Sequence, residues 1–330
     1  MPYISGMKKY CFYFIHILIC FIPIFVTAQA IDDNVSFRNI DSNKYFRINY
    51  ENDFFTATDR DYTQGIYIEK VKPSFRNFPL SKLLLHPKNG NVKYGIALED
   101  DGYTPNIIAS AAIQNGDRPY AGVLFLKTFL TLTNAEKLER ISVLLSTGII
   151  GPAAQGEAMQ KGIHHWIHYT QPLGWNNQIA NDAVINYQVN YEKEIFSLRN
   201  YFSFASFNSA RIGTLSDKTT TGFNLMIGDF YSPFKNNIHF PVKKFQWYAY
   251  AQPLVNLVGY DATLDGGVFN HSSPYIIPEE DINHFTIQYK AGLVLIFKRL
   301  YLEYYQTGIS KEFTTSVYHK TGGLEVGFGF

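Results

Sequence analysis

The residues best placed to do chemistry in this 330-residue chain lie in one short stretch, Gly156-Glu157-Ala158-Met159-Gln160-Lys161-Gly162-Ile163-His164-His165-Trp166-Ile167-His168. Its apolar residues recur with helical spacing, so Met159, Ile163, Trp166 and Ile167 share one face. Gln160, His164 and His168 share the other, with Glu157 and Lys161. Gln160 and His164 stand at i, i+4, where side chains can touch. A Gln carbonyl oxygen accepting from one ring nitrogen would fix the imidazole tautomer and leave the other nitrogen as a base. Histidine is the usual general base near neutral pH, contributing about 10²–10⁴-fold. Spacing alone leaves two other readings open. His164 and His168 are also i, i+4 and could bind zinc, although His165 stands where the zinc-protease pattern requires Glu. Three histidines near a membrane interface could equally be amphipathic filler. No Gly-x-Ser-x-Gly elbow occurs and no Ser lies close to the His cluster in sequence, which favours water as the nucleophile.

A second stretch reads Glu51-Asn52-Asp53-Phe54-Phe55-Thr56-Ala57-Thr58-Asp59-Arg60-Asp61-Tyr62-Thr63-Gln64-Gly65. It holds four acids, one Arg and several hydroxyls. A carboxylate such as Asp53, beside amide and carbonyl oxygens, suits a hard cation such as Ca²⁺. The spacing is not that of an EF-hand, and a solvated acidic loop is the plain alternative. Glu99-Asp100-Asp101 is a second acidic cluster and reads as a solvated strand end.

These stretches need elements to hold them. The chain has 27 Phe, 24 Tyr and 3 Trp, or 16% aromatic residues. Only 17% of residues are charged, against roughly 25% in ordinary soluble domains. A mean hydropathy of −0.12 excludes a bundle of membrane helices, and the aromatic content excludes disorder. The pattern is instead alternation with period two. Tyr187, Val189 and Tyr191 interleave with Asn186, Gln188, Asn190 and Glu192. Val123, Phe125, Lys127 and Phe129 continue the theme, as do Tyr301, Glu303 and Tyr305.

Twelve such segments begin near Lys44, Thr63, Val92, Tyr120, Leu138, Ala183, Arg199, Asp217, Phe245, Asn283, Arg299 and Val317. An even number of aromatic-rich strands of about ten residues predicts an all-β fold, a twelve-stranded antiparallel transmembrane β-barrel. Short helical segments belong in its outward loops. The end agrees: Leu324, Val326, Phe328 and Phe330 alternate with Glu325, Gly327 and Gly329. A final aromatic, Phe330, suits delivery to the outer-membrane assembly machinery. A soluble secreted β-sandwich or lipocalin-like barrel would carry more Lys and Glu outside. With both termini periplasmic, the outward loops are about 51–62, 101–119, 150–182, 213–217, 260–282 and 309–316, and the first three hold nearly all the unusual sequence. Stretches 73–91 and 229–244 fall on the periplasmic side and are long for that side.

Residues 1–30 read as a secretory signal peptide. Lys8-Lys9 precede the apolar run Cys11 to Val26, and Ala28-Gln29-Ala30 follows. Residues 31–330 then form a single barrel domain. Both cysteines lie in the leader, so the mature chain has no thiol nucleophile. Its balance is 27 basic against 28 acidic residues once Lys8 and Lys9 are removed, and nothing suggests nucleic acid.

With these residues laid out, the mature chain resembles the outer-membrane lipid A 3′-O-deacylase family. The carriers are Asn52-Asp53-Phe54-Phe55 with Thr58-Asp59-Arg60-Asp61-Tyr62-Thr63-Gln64-Gly65, then Tyr103-Thr104-Pro105 and Asp117-Arg118-Pro119-Tyr120-Ala121-Gly122. Gly151-Pro152, Gly156-Glu157, Gln160, His164 and Pro172-Leu173-Gly174-Trp175 with Gln178 follow in order. The resemblance implies a twelve-stranded barrel in the outer membrane of a Gram-negative bacterium. It further implies removal of the 3′-linked acyloxyacyl chain from lipid A in lipopolysaccharide of the outer leaflet, with Ca²⁺ as cofactor. Residue by residue, it makes His164 the base and Gln160 its support, with Asn52 and Asp53 as the Asn-Asp pair. His164 would deprotonate water, Asp53 would help hold Ca²⁺, and the ion with Asn52 would stabilise the oxyanion. Thr58, Asp59, Arg60, Tyr62, Thr63, Arg118 and Tyr120 would shape the site. The family's small hydroxyl residue after strand 2 finds Ser74 as its nearest match. Its supporting Glu, a few residues after the His, has no counterpart, since Thr170-Gln171 stand there. An outer-membrane phospholipase and a non-enzymatic barrel, channel or adhesin, are the alternatives.

Overall fold

The computed structural model describes residues 34–53, 61–235 and 243–330. Residues 1–30, with the expected leader, lie outside that range, as do Thr58, Asp59 and Arg60. Twelve strands run in chain order: β1 Tyr45–Asn52, β2 Asp61–Val71, β3 Asn91–Thr104, β4 Ala121–Asn134, β5 Glu139–Ile150, β6 Asp182–Leu198, β7 Phe202–Gly213, β8 Ser216–Asp229, β9 Phe245–Asp261, β10 Phe285–Phe297, β11 Leu300–Ile309 and β12 His319–Gly329. Each begins within three residues of its expected start. Every neighbour is antiparallel, and the sheet closes on itself where β1 meets β12, from Tyr45↔Gly329 to Asn52↔Gly322. Closure leaves no unpaired edge, which a hydrocarbon surrounding demands.

Alternation assigns the faces. In β1, Tyr45, Arg47, Asn49 and Glu51 are buried in the lumen, while Phe46 and Ile48 are exposed on the outer wall. In β12, Glu325 is buried and Leu324, Val326 and Phe328 are exposed. The connections sort by parity. Those after even-numbered strands share one end with the base of β1 and the end of β12. Those after odd-numbered strands share the other end and carry the two α-helices of the described residues, α1 Gly156–Trp166 and α2 Ala262–Asp265.

The lumen is not an open pore. Residues 34–40, ahead of β1, sit inside it, with Val35, Phe37 and Arg38 essentially inaccessible. Phe37 stacks on Tyr250 at 4.0 Å. The Arg38 guanidinium donates twice to the Glu303 carboxylate on β11 at 3.0–3.1 Å and lies 3.4 Å from Glu325 on β12. Ser36 N–H donates to Glu192 on β6 (3.0 Å), the Tyr248 hydroxyl on β9 donates to the Phe37 carbonyl (2.6 Å), and Lys93 on β3 donates to the Ile40 carbonyl (2.7 Å). Arg47 completes the layer, bridging Glu69 on β2 at 2.9 Å and Glu325 at 3.0 Å. Charges this deep in the lumen are stable only when paired and hydrogen-bonded.

Arg38→Ala would leave Glu303 a buried carboxylate without its guanidinium, a loss of about 3–5 kcal/mol. The temperature at which the compact, unheated form converts to the slower band in detergent gels should fall. Deletion of 34–40 should let ions through in planar bilayers, whereas the intact chain should not conduct.

Candidate active site

The site is built where the third odd-numbered connection folds back over the strand ends. Helix α1 lies over the tops of β3 and β4. It comes this close because two glycines meet: a Cβ on Gly156 would lie 3.1 Å from the Gly122 Cα and 2.9 Å from the Trp175 ring. Its polar face is turned inward. Gln160 and His164 are buried, while Trp166 is 81% exposed on the opposite, apolar side. An i, i+4 ion pair, Glu157–Lys161 at 2.5 Å, runs along its flank.

The expected bond between Gln160 and His164 is not the one that forms. The Gln160 carbonyl oxygen accepts from the Trp175 indole N–H at 2.7 Å. That turns its amide nitrogen toward the Thr63 hydroxyl, 3.5 Å away. Buried indole N–H groups need an acceptor, and the Gln160 side chain supplies it. His164 is held by main chain instead: its Nδ1 lies 2.5 Å from the Thr170 carbonyl oxygen. A carbonyl only accepts, so Nδ1 carries the proton and Nε2 keeps the lone pair. The Tyr169 ring meets the imidazole edge-on at 5.2 Å and fixes its plane.

The end of α1 explains how Thr170 gets there. His168 adopts φ +57°, and the His168 and Tyr169 N–H groups donate to the His165 and His164 carbonyls at 3.3 and 2.8 Å. This is a Schellman turn, whose left-handed position usually takes Gly or Asn. The helix therefore stops at Trp166, and His168 leaves the Gln160/His164 face for solvent. The i, i+4 histidine pair considered for zinc is not assembled.

Thr63 joins the other side of the site. Its hydroxyl lies 2.5 Å from that of Thr104, and its carbonyl accepts from the Asn52 amide at 2.5 Å. The second Asn52 N–H donates to the Tyr50 hydroxyl at 3.2 Å. Both amide hydrogens of Asn52 thus brace the top of β1. Asp53 follows it and is buried.

Among the described residues, no three His, Asp or Glu side chains gather to hold a metal. Asp53 is one carboxylate, short of the six to eight oxygens Ca²⁺ takes.

The remaining expected residues separate. Tyr62 faces the lumen and donates to Asp101 at 2.9 Å. Arg118 is buried against the Tyr103 ring, 4.5 Å from its centroid, and donates to Glu312 (2.5 Å) and Thr263 (2.8 Å). It ties together the connections after β3, β9 and β11. Tyr120 packs 5.0 Å from Trp175, whose indole bonds to Gln160. Ser74 is a correction. It sits in the β2–β3 connection, exposed, at the opposite end of the barrel. A residue after β2 exits at the end shared by the termini, so no path brings it to His164. The hydroxyl brought to the site is that of Thr63, at the start of β2.

Neither Trp175 nor the Thr170 carbonyl has a role that residue type or spacing announces. The Trp175 signal was a tryptophan in a Pro-Leu-Gly-Trp block; a backbone carbonyl leaves no signal in residue types.

Comparison with known proteins settles the family. The sequence model described as "Outer membrane protein LpxR" matches residues 14–330. This chain belongs to the LpxR family. The solved structure "LpxR from Salmonella typhimurium" superposes with a TM-score of 0.70 at 17% identity, covering 87% of this chain and 100% of that one. The β domain of the Bordetella autotransporter BrkA reaches only 0.46 at 8% identity, covering 88% and 100%. No curated protein matches by sequence. Family membership makes this an outer-membrane protein, and the fold agrees with the twelve-stranded barrel read from the sequence.

The turn after α1 yields a direct test. His168→Gly fits the left-handed position and should leave fold and function intact. His168→Val places a β-branched residue there, at a cost of about 1–2 kcal/mol, and should loosen the segment that presents Thr170. Hydrogen exchange over residues 156–170 should quicken in the Val variant alone.

Proposed function

We propose that this LpxR-family barrel removes the 3′-linked acyl chain from lipid A, using a water activated by His164. The observation that carries this reading is the His164–Thr170 pairing. A buried imidazole with Nδ1–H held by a carbonyl has its basic Nε2 fixed in place. His164 Nε2 would take the proton from the attacking water and return it to the leaving alcohol. Gln160, fixed by Trp175, holds Thr63 and so braces the floor on which the ester would lie. The setting supports a lipid substrate. The helix that buries His164 exposes Trp166, and Ile167, Tyr169 and Leu173 in the segment after it are exposed as well. Such a surface suits acyl chains better than water. The phospholipase alternative needs a Ser paired to the base, and no Ser side chain bonds to His164 among the described residues. The channel alternative needs a clear lumen, which residues 34–40 fill.

Mass spectrometry of lipid A from cells with and without this protein is the primary test, with loss of one acyloxyacyl chain as the expected difference. His164→Ala should lower deacylation by about 10²-fold or more while the barrel stays heat-modifiable. His165→Ala, whose side chain projects about 100° away and is exposed, should change it little. An inactive His165 variant beside an active His164 variant would reverse the assignment.

Ca²⁺ dependence is part of the proposal, with Asp53 as the carboxylate nearest the rim of β1. Chelation should abolish activity, and added Ca²⁺ should restore it. Asp53→Asn should raise the Ca²⁺ concentration needed. Full activity in excess chelator would give Asp53 a purely structural role.

A further inference from the structure

The connection from β2 to β3, residues 72–90, takes no part in the site and is long for a periplasmic turn. It carries four cations, Lys72, Arg76, Lys82 and Lys88, and no Asp or Glu. It does not hang free below the barrel. Two 3-10 turns, Pro73–Asn77 and Pro79–Leu83, lay it along the outer wall. Leu84 is buried against Tyr94, Leu130, Val143 and Leu145. These four belong to the lipid-facing set. Tyr94 has the parity of Leu98, which is exposed, and it pairs across the sheet with Leu130, which pairs in turn with Val143. The Leu85 N–H then donates to the Tyr187 hydroxyl on β6 at 2.7 Å. The segment thus crosses the outside of β3, β4 and β5 and is tied to β6.

Its backbone is prepared for that setting. The N–H groups of Phe75, Phe78, Ser81 and Leu84 donate to the carbonyls of Lys72, Phe75, Phe78 and Ser81 at 2.9–3.4 Å. Ser81 Oγ donates to the Phe75 carbonyl at 2.7 Å, and Pro73 and Pro79 have no N–H. Backbone lying against lipid must satisfy itself in this way. Leu83 and Leu85 flank the buried Leu84 and are 64% and 63% exposed. Arg76, Lys82 and Lys88 form no ion pair among the described residues. Exposed leucines beside unneutralised cations, on the membrane wall of a barrel and at the end of its termini, match a lipid with acyl chains and an anionic headgroup.

We propose that residues 72–88 form a binding surface for anionic glycerophospholipid in the periplasmic leaflet. Leu83 and Leu85 lie among the acyl chains, and Arg76, Lys82 and Lys88 meet the headgroup phosphates. This surface is separate from the His164 site, at the other end of the barrel, so its test does not depend on any enzymatic activity.

The full chain would be placed in nanodiscs of phosphatidylglycerol and phosphatidylcholine, and retained lipid counted by native mass spectrometry. Phosphatidylglycerol should be enriched. R76Q/K82Q/K88Q should lower that enrichment by about fivefold for each cation removed. K311Q/K320Q, at the opposite rim, should leave it unchanged. Residues 31–330 contain no cysteine, so with C11S and C20S in place a nitroxide on Leu83→Cys reports position directly. It should be more accessible to oxygen than to a water-soluble nickel complex. A label exposed to nickel, or a triple variant that keeps the full phosphatidylglycerol enrichment, would overturn the proposal.

Discussion

A bilayer core offers no water to an unpaired N–H or C=O, so the first strand of this chain must find the last. The register of β1 on β12 is the physical condition on which the remaining structure depends. Closure makes an inside and an outside, and each strand then has one face in lipid and one in the lumen. Closure also fixes parity. With an even number of antiparallel strands, every second connection emerges at the same end. The Asn52 and Thr63 segments, the Arg118 segment and helix α1 are remote in sequence yet are delivered to one rim by this rule alone.

The same physics made the strands legible. Lipid on one side and packed polar groups on the other impose period-two alternation on each strand, broken only at a few bulges such as Tyr62/Gln64, and the strands start within three residues of where that alternation begins. The helix in the third outward connection was legible from its 3.6-residue spacing. Its orientation was less so. A soluble domain buries the apolar side of such a helix, but a barrel rim offers polar strand ends within and lipid without, so α1 buries Gln160 and His164. The residues holding these two were not legible in the same way. Gln160 is claimed by the Trp175 indole and His164 by the Thr170 carbonyl. The first depends on a fold-back that brings residues 160 and 175 together. The second is a bond to main chain, present whatever side chain stands at 170. The Thr170 carbonyl thus stands beside His164 where Thr170-Gln171 provide no carboxylate. Ser74, the nearest match to a hydroxyl after the second strand, lies in a connection that leaves the barrel at the end away from His164. Residues 34–40 alternate only briefly, with Val35 and Phe37 between Asn34, Ser36 and Arg38, too short a run to make a strand of the wall, and their place in the lumen had no precursor in the pattern.

Two neighbouring choices of residue show how narrow the tolerance around the site is. Gly156 and Gly122 permit the approach of α1 to the strand ends, because a side chain at either would meet backbone or the Trp175 ring. His168 performs the opposite service, accepting an unfavourable left-handed conformation so that the chain reverses and presents Thr170. Neither residue touches a reacting group. Both act on where the imidazole stands.

The residues in the lumen also set the order in which this molecule can mature. Arg38 bonds to Glu303, 265 positions away in the chain, and Ser36 to Glu192, 156 positions away. Contacts of such separation come late, since the loop they close costs entropy before it returns any enthalpy. The amino-terminal segment therefore cannot take its final place until the penultimate and last strands have arrived. A chain interrupted before β11 would hold Arg38 and Arg47 without the carboxylates of Glu303 and Glu325. Completion of synthesis, closure of the wall and neutralisation of the interior are in this way a single cooperative event.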